Sequence, residues 1–395
     1  MSHIAKKAGG ISPSSTLAID AKFKAMKADG MDVVGFGTGE PDFDTPQYIK
    51  DAAIKAIMDG KTKYTPASGT LELKKAICKK LKDDNRLDYT PADIVVSNGA
   101  KHSLVNAFMA ICDPGDEVII PAPYWVSYPE MVKLADGVPV ILATTEANDF
   151  KFTIDELKAA ITPKTRAIVI NSPSNPTGMV YSEAELRAIA DVAVENGIYV
   201  VSDEIYEHLI YNGKHVSIAS FGDAIKDLTI VINGVSKTYA MTGWRIGYTA
   251  SATALAKVMG NVQSHATSNP NTIAQFAAQA AIEGDGADIA EMRKAFAERR
   301  DYMVERVGKI DGVSCLNPDG AFYVLMNISG IIGKTIGGAV IANSDAFADA
   351  FLDKCGVAVV AGVGFDAENY VRWSYATSME NIKEGMDRLE KFLAM

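Results

Sequence analysis

The sequence predicts an α/β fold: a large domain with a mostly parallel sheet flanked by helices, plus a smaller α+β domain built from both chain ends. Three observations predict it. From about residue 47 to 290, short apolar runs alternate with helical stretches, as in strands joined by helical crossovers. After Gly286 the order changes to a long charged helix, several short strands and a closing helix. The 395 residues, 48% of them apolar, are enough for two cores. The expected division is residues 1–46 as an N-terminal arm and part of the small domain, 47–290 as the large domain, and 291–395 as the small C-terminal domain.

In chain order, residues 1–13 (starting MSHIAKKAGG) read as a loose arm ending at Ser12-Pro13. A helical pattern from Ser14 to Ala28 and a strand from Val33 to Phe36 follow. GTGEPDFDTP, residues 37–46, is dense in turn formers and reads as a loop. Gly35-x-Gly37, where strand meets loop, invites a dinucleotide-binding reading, but Glu40 stands where that pattern needs glycine, and no helix opens there. Apolar runs predict strands at 94–97, 117–121, 138–142, 166–171, 198–202, 228–232 and 246–250, with helices such as Ser182 to Glu195 between most of them. Beyond Gly286 come a helix from Glu291 to Val307, a strand from Ala321 to Met326 and a helix from Asp345 to Lys354. Strands Val357 to Ala361 and Val371 to Tyr375 and a helix from Glu380 complete the chain.

Composition removes several function classes. A net charge of −10 argues against a general binder of nucleic-acid backbones, which needs a basic face, although it permits a local cationic pocket. The four cysteines have no CxxC spacing, so neither a metal site nor a disulfide framework is indicated. The start has no apolar signal core, and no run approaches the ~18 apolar residues of a membrane span. A cytoplasmic location with no membrane partner is expected.

The chemistry gathers at strand ends. Asn233 and Gly234 break the run from Leu228 to Ile232, so Lys237 stands just past a strand end, free to reach into a cleft. Arg245 precedes the next apolar run. An amine and a guanidinium held there suit a cofactor with an aldehyde and a phosphate. Ser97-Asn98-Gly99-Ala100-Lys101 links a strand to a helix from His102, and small residues at a helix start let backbone N–H groups approach a phosphate. Trp125 ends another strand and offers an aromatic face for a pyridine ring. Asn175, in a turn fixed by two prolines and Gly178, can donate an amide hydrogen bond. Asp203 follows a strand, and a carboxylate beside a pyridine nitrogen favours its protonated form. Arg372 is a charged residue inside an apolar strand and needs a carboxylate, which its planar fork can bind with two bonds.

SKxxxMxGWRxGY resembles the cofactor-lysine motif of the class I/II pyridoxal-phosphate aminotransferases, fold type I. EPDFDTP, PYWVSYPEM, NSPxNPTG, VSDEIYEHL and AMTGWRIGY, present in that order, are most similar to the bacterial aspartate aminotransferases of subgroup Ib. The resemblance implies pyridoxal 5'-phosphate as cofactor, held by Lys237 as a Schiff base. Lys237, Asp203 and Tyr206 are then catalytic. Gly99, Ala100, Lys101, Trp125, Asn175, Ser236 and Arg245 hold the cofactor, with Tyr64 reaching the phosphate of the neighbouring subunit in a homodimer. Gly39, Trp125, Asn175, Arg372 and Lys101 face the substrate, an amino acid or 2-oxo acid, with aspartate or glutamate expected. The arginine that grips the side-chain carboxylate in another subgroup has its place near Ser264 here, so Lys101 is expected to serve instead. Members accepting prephenate carry lysine where Ser12 stands. The alternatives are a lyase of the C–S β-lyase type on the same fold and an aminotransferase for aromatic or neutral amino acids.

Overall fold

Seven strands form the main sheet of the computed structural model, which describes residues 4–13 and 15–395. The first three residues of the arm, and Ser14 where the helical reading began, lie outside the described residues. After a two-residue strand β1 (Val34–Gly35) come β2 (Ile94–Ser97), β3 (Glu117–Pro121), β4 (Val138–Leu142), β5 (Thr165–Asn171), β6 (Tyr199–Asp203), β7 (Thr229–Gly234) and β8 (Gly247–Ala250). The sheet order is β2-β8-β7-β6-β5-β3-β4. Only β8 runs antiparallel to its neighbours, so the sheet is mostly parallel, as its apolar runs predict.

Both faces of this sheet are covered. Ile119, Ile168 and Val200 pack towards Leu186 and Ile189 of helix Glu183–Asn196, while Val118, Val169 and Val201 pack towards Leu104 and Phe108 of helix Ala100–Ile111. Strands buried on both faces need unbroken apolar runs, and this is why they are visible in the sequence. Helix Glu183–Asn196 starts where Ser182 and Glu185 close a reciprocal capping box. It stops at Gly197, whose φ of 64° suits a left-handed cap.

β2, β3, β5, β6 and β7 all end at one edge of the sheet. Antiparallel β8 begins there. Ser97, Asn171, Asp203, the Ser236–Lys237 segment after β7 and Arg245 before β8 are thereby brought to that edge, where ligands of such sheets bind.

A second, four-stranded antiparallel sheet involves β9 (Ser314–Cys315) and β10 (Tyr323–Asn327); a small hairpin of β11 (Thr335–Ile336) and β12 (Ala339–Val340) follows. Next are β13 (Val357–Ala358), β14 (Val360–Ala361) and β15 (Tyr370–Ser374), giving the order β14-β15-β10-β9. The single strand expected over Val357 to Ala361 is in fact two. β13 pairs with β1, whereas β14 crosses to β15, because buried Val359 lies where the chain passes between sheets. Trp373, Phe351, Phe347 and Phe392 fill the core beneath. The arm is not loose either: Lys6–Gly9 form a short helix, Lys7 pairs with Asp136 at 2.8 Å, and the Ser12 amide donates to Glu130 at 3.0 Å.

Candidate active site

A cavity of ≈ 320 Å³ opens at the strand-end edge. It brings together Gly39, Ala100, Lys101, Trp125, Asn175, Asp203, Tyr206, Ser236, Lys237, Arg245 and Arg372. Two expected residues do not line it. Gly99 lies behind the wall, and Tyr64 is 91% exposed in a separate cleft beside Ser268 and Asn269.

The Lys237 amine donates to the Gly39 carbonyl at 2.5 Å. Burial lowers its pKa to about 8, and nearby Arg245 and Arg372 act in the same direction, against Glu40 and Asp203. The amine is still mostly cationic at neutral pH, but far more of it is uncharged, and so competent as nucleophile and base, than for an ordinary lysine. The loop 37–46 is held against this segment: Thr45 donates to the Ala240 carbonyl at 2.6 Å, Trp244 donates to Thr45 at 3.0 Å, and Thr242 donates to Glu40 at 2.7 Å.

Arg245 sits in the left-handed region at φ 58°, a conformation costing about 1–3 kcal/mol that recurs at functional sites. Its guanidinium donates to the Thr242 carbonyl at 2.9 Å. Gly99 and Gly247 make room for this arrangement. A Cβ on Gly99, itself at φ 86°, would lie 2.4 Å from Arg245 Nη2, and one on Gly247 would lie 2.2 Å from the Ala100 amide nitrogen. The first turn of helix Ala100–Ile111 thus abuts the arginine, which makes an anion cradle of amides and guanidinium.

Asp203 is 4% exposed. Burial raises its carboxyl pKa to about 6, opposed by hydrogen bonds from the Tyr128 hydroxyl at 2.7 Å and the Ile205 amide at 3.2 Å. Tyr128 escaped the sequence reading, although it lies only three residues after Trp125, in the first turn of helix Ser127–Leu134. Tyr128→Phe removes one stabilising donor, so the Asp203 carboxyl is expected to titrate about one pH unit higher. Infrared titration of aspartate-labelled protein measures this, and an unmoved carboxyl band would contradict it.

Asn171 accepts from the Asn175 amide at 2.8 Å and donates to the Asp203 carbonyl at 3.1 Å, which fixes the NSPSNPTG turn to β6. Arg372 is 2% exposed, donates to Asn175 Oδ1 at 3.0 Å and to the Gly37 carbonyl at 2.8 Å, and leaves Nε without a partner. Among the described residues no carboxylate pairs with it. A second residue absent from the sequence reading, Tyr323, lies beneath it: the guanidinium is 4.4 Å from the ring centroid, and the Tyr323 hydroxyl is 2.9 Å from that of Tyr206. No local pattern marks Tyr323, which reaches the site through the pairing of β10 with β15.

Lys101 stands at the pocket wall with its ammonium 4.8 Å from the centroid of the half-buried Trp125 ring. The protein packed around it lowers its pKa, and Arg245 adds to the effect. Four cationic side chains, Lys101, Lys237, Arg245 and Arg372, therefore face one carboxylate, Asp203, across the cavity of an otherwise acidic protein. The pocket suits a ligand with more than one anionic group.

Residues 31–389 match the family model for aminotransferase class I and II. The chain is 51% identical over 391 residues to an aspartate aminotransferase of Bacillus sp. strain YM-2, covering 99% of each. It is 48% identical over 397 residues to an aspartate/prephenate aminotransferase of Cereibacter sphaeroides, covering 100% of this chain and 99% of that one. Among solved structures, an aspartate aminotransferase from Rhizobium meliloti superposes with a TM-score of 0.96 at 43% identity, covering 100% of this chain and 99% of that chain. A Thermus thermophilus aspartate aminotransferase with maleate gives 0.94 at 42%, covering all of both chains. A match at this level along almost the whole chain settles the family: the protein belongs to the class I and II aminotransferases, enzymes that move an amino group between an amino acid and a 2-oxo acid.

Proposed function

We propose that the protein transfers the amino group of aspartate or glutamate to a 2-oxo acid, with pyridoxal 5'-phosphate as cofactor and as a homodimer. The observation carrying this reading is Arg372: a buried guanidinium with an unpartnered Nε and no carboxylate among the described residues calls for an anionic substrate group. The residues fit the cofactor too, since the Gly99–Arg245 cradle suits its phosphate and buried Asp203 suits a cationic ring nitrogen. When bound, pyridoxal 5'-phosphate supplies a carbonyl for the amine and a ring that accepts the electron pair left by Cα deprotonation.

The chain's own residues do the rest. Arg372 grips the α-carboxylate and Asn175 steadies the guanidinium. Lys237 Nζ takes the proton from the substrate Cα and later delivers one back. Tyr128 and the Ile205 amide hold Asp203 for its charge role, and Tyr323 holds the Tyr206 hydroxyl. Ser236, Arg245 and the amides at Ala100 hold the phosphate, while Trp125 covers the ring.

Lys101 reads the distal carboxylate. The names of the relatives, and maleate in the Thermus neighbour, support a dicarboxylic substrate. Lys101→Ala is expected to lower activity with aspartate at least about tenfold more than with alanine or an aromatic amino acid, because it removes a charged hydrogen bond to one substrate class. Arg372→Ala should depress all substrates together. An equal loss across substrates for Lys101→Ala would move specificity to the arm near Ser12. A panel of amino acids assayed against 2-oxoglutarate and oxaloacetate tests the reaction itself. Pyruvate and ammonia released from a cysteine conjugate would instead identify a lyase.

Ile54, Ile57 and Met58 form an exposed apolar stripe on helix Gln47–Met58, and exposed Tyr64 lies near it in sequence. This supports a homodimer in which Tyr64 reaches the phosphate of the neighbouring subunit. Pairing of Val34–Gly35 with Val357–Ala358 supports residues 1–46 and 291–395 as one smaller unit beside the large cofactor-binding domain, 47–290. Four free cysteines suit a reducing cytoplasm. Among the described residues no helix is long and apolar enough to cross a membrane.

A further inference from the structure

The turn after β6 alternates two kinds of residue. Asp203 and Tyr206 line the cavity, whereas the buried carboxylates of Glu204 and Glu207, 1% and 6% exposed, bond only to residues outside the cavity lining. Glu204 accepts from Ser202 at 2.9 Å, Ser217 at 2.6 Å and the His215 ring at 2.9 Å. Glu207 accepts from Asn85 at 2.7 Å, from Asn233 at 2.6 Å and from the buried Lys80 ammonium. Lys80 also donates to Asn85 at 2.7 Å, which closes a ring of three side chains.

Glu204, Glu207 and His215 offer ligand atoms within 4.8 Å of one another, as a metal site would. Each carboxylate oxygen is already engaged by a protein donor, however, so the cluster is complete as a hydrogen-bonded network. Stability alone is a weak reason for burying it, because apolar replacement of a buried ion pair is often neutral or stabilising. Its connections give a better reason. Asn233 is the penultimate residue of β7, its side-chain Oδ1 accepts from the Gly234 amide at 2.7 Å, and Ser236 and Lys237 come three and four residues later. Glu207 therefore ties the turn bearing two site residues to the strand end bearing two more, and anchors both to helix Leu71–Asn85.

We propose that Glu207 is a positioning residue for transamination, an inference resting on the function argued above: through Asn233, Lys80 and Asn85 it sets the placement of Asp203 and Tyr206 relative to Lys237. Two variants test it. Glu207→Gln with Lys80→Met removes both buried charges together, and Asn233→Ala cuts the tie to β7 while keeping the ion pair. In protein loaded with pyridoxal 5'-phosphate, kcat is expected to fall about 10–100-fold, the cost of displacing reacting groups by about an ångström. KM for the amino donor should stay within about threefold. The pH midpoint of the cofactor's visible absorbance should move by at least about half a unit. Melting temperature, measured alongside, separates this from simple destabilisation. The proposal is overturned if a folded variant keeps both kcat and the absorbance midpoint, or if kcat falls only in step with the folded fraction. Because the midpoint is read without turnover, an unaltered protein inactive on every amino acid would refute the reaction, while the spectrum still judges the tie.

Discussion

Replacing Lys237 by alanine is expected to lower transamination by about 10⁴-fold, since it removes a positioned general base and one of the two amines among the described residues lining the cavity. The expectation follows from the amine's surroundings. Burial and two arginines bring its pKa down to about 8, so at neutral pH a useful fraction is already uncharged. Lys101, the other amine of the cavity, lies against Trp125 and cannot take over without leaving that ring. Single-turnover loss of the substrate Cα–H bond, followed with a deuterated amino acid, is the appropriate measurement. A Lys237→Ala protein that keeps its Cα exchange rate would assign the base elsewhere.

The second large effect is expected from Asp203→Asn. Asparagine keeps the shape and the hydrogen bond from Tyr128, but it removes the one carboxylate that faces four cations across the cavity. Burial makes this carboxylate costly to ionise, as its pKa of about 6 records, so a cationic partner is worth more here than at the surface. Losing such a preorganised electrostatic partner is expected to slow Cα proton loss by about 10²–10³-fold with little change in substrate binding. Half-reaction kinetics read this directly. A variant with near-normal half-reaction rates would mean that Asp203 is a structural cap of β6.

These residues were legible in the sequence for a physical reason. The inner parallel strands are buried on both faces and so appear as unbroken apolar runs, and polar residues at their ends stand out against them. The limits of β2, β3 and β4 fall where the apolar runs do, and β5 to β8 differ by one or two residues. Legibility fails where tertiary pairing decides. Val357 to Ala361 is one apolar run, yet it serves two sheets. Tyr323 looks like any strand residue until β15 places Arg372 over its ring. Lys80 sits in KKLKDDN, a stretch that reads as a solvated helix face, but Glu207 and Asn85 draw it inside. Tyr128 alone could have been found by local spacing.

The account rests on Lys237 as the residue that carries the cofactor, and one measurement addresses that directly. Protein loaded with pyridoxal 5'-phosphate is reduced with borohydride, digested, and mapped by mass spectrometry. The label is expected on the peptide containing Ser236-Lys237-Thr238, at the lysine whose amine now bonds to the Gly39 carbonyl. A label on Lys101 or on any other lysine would contradict the assignment.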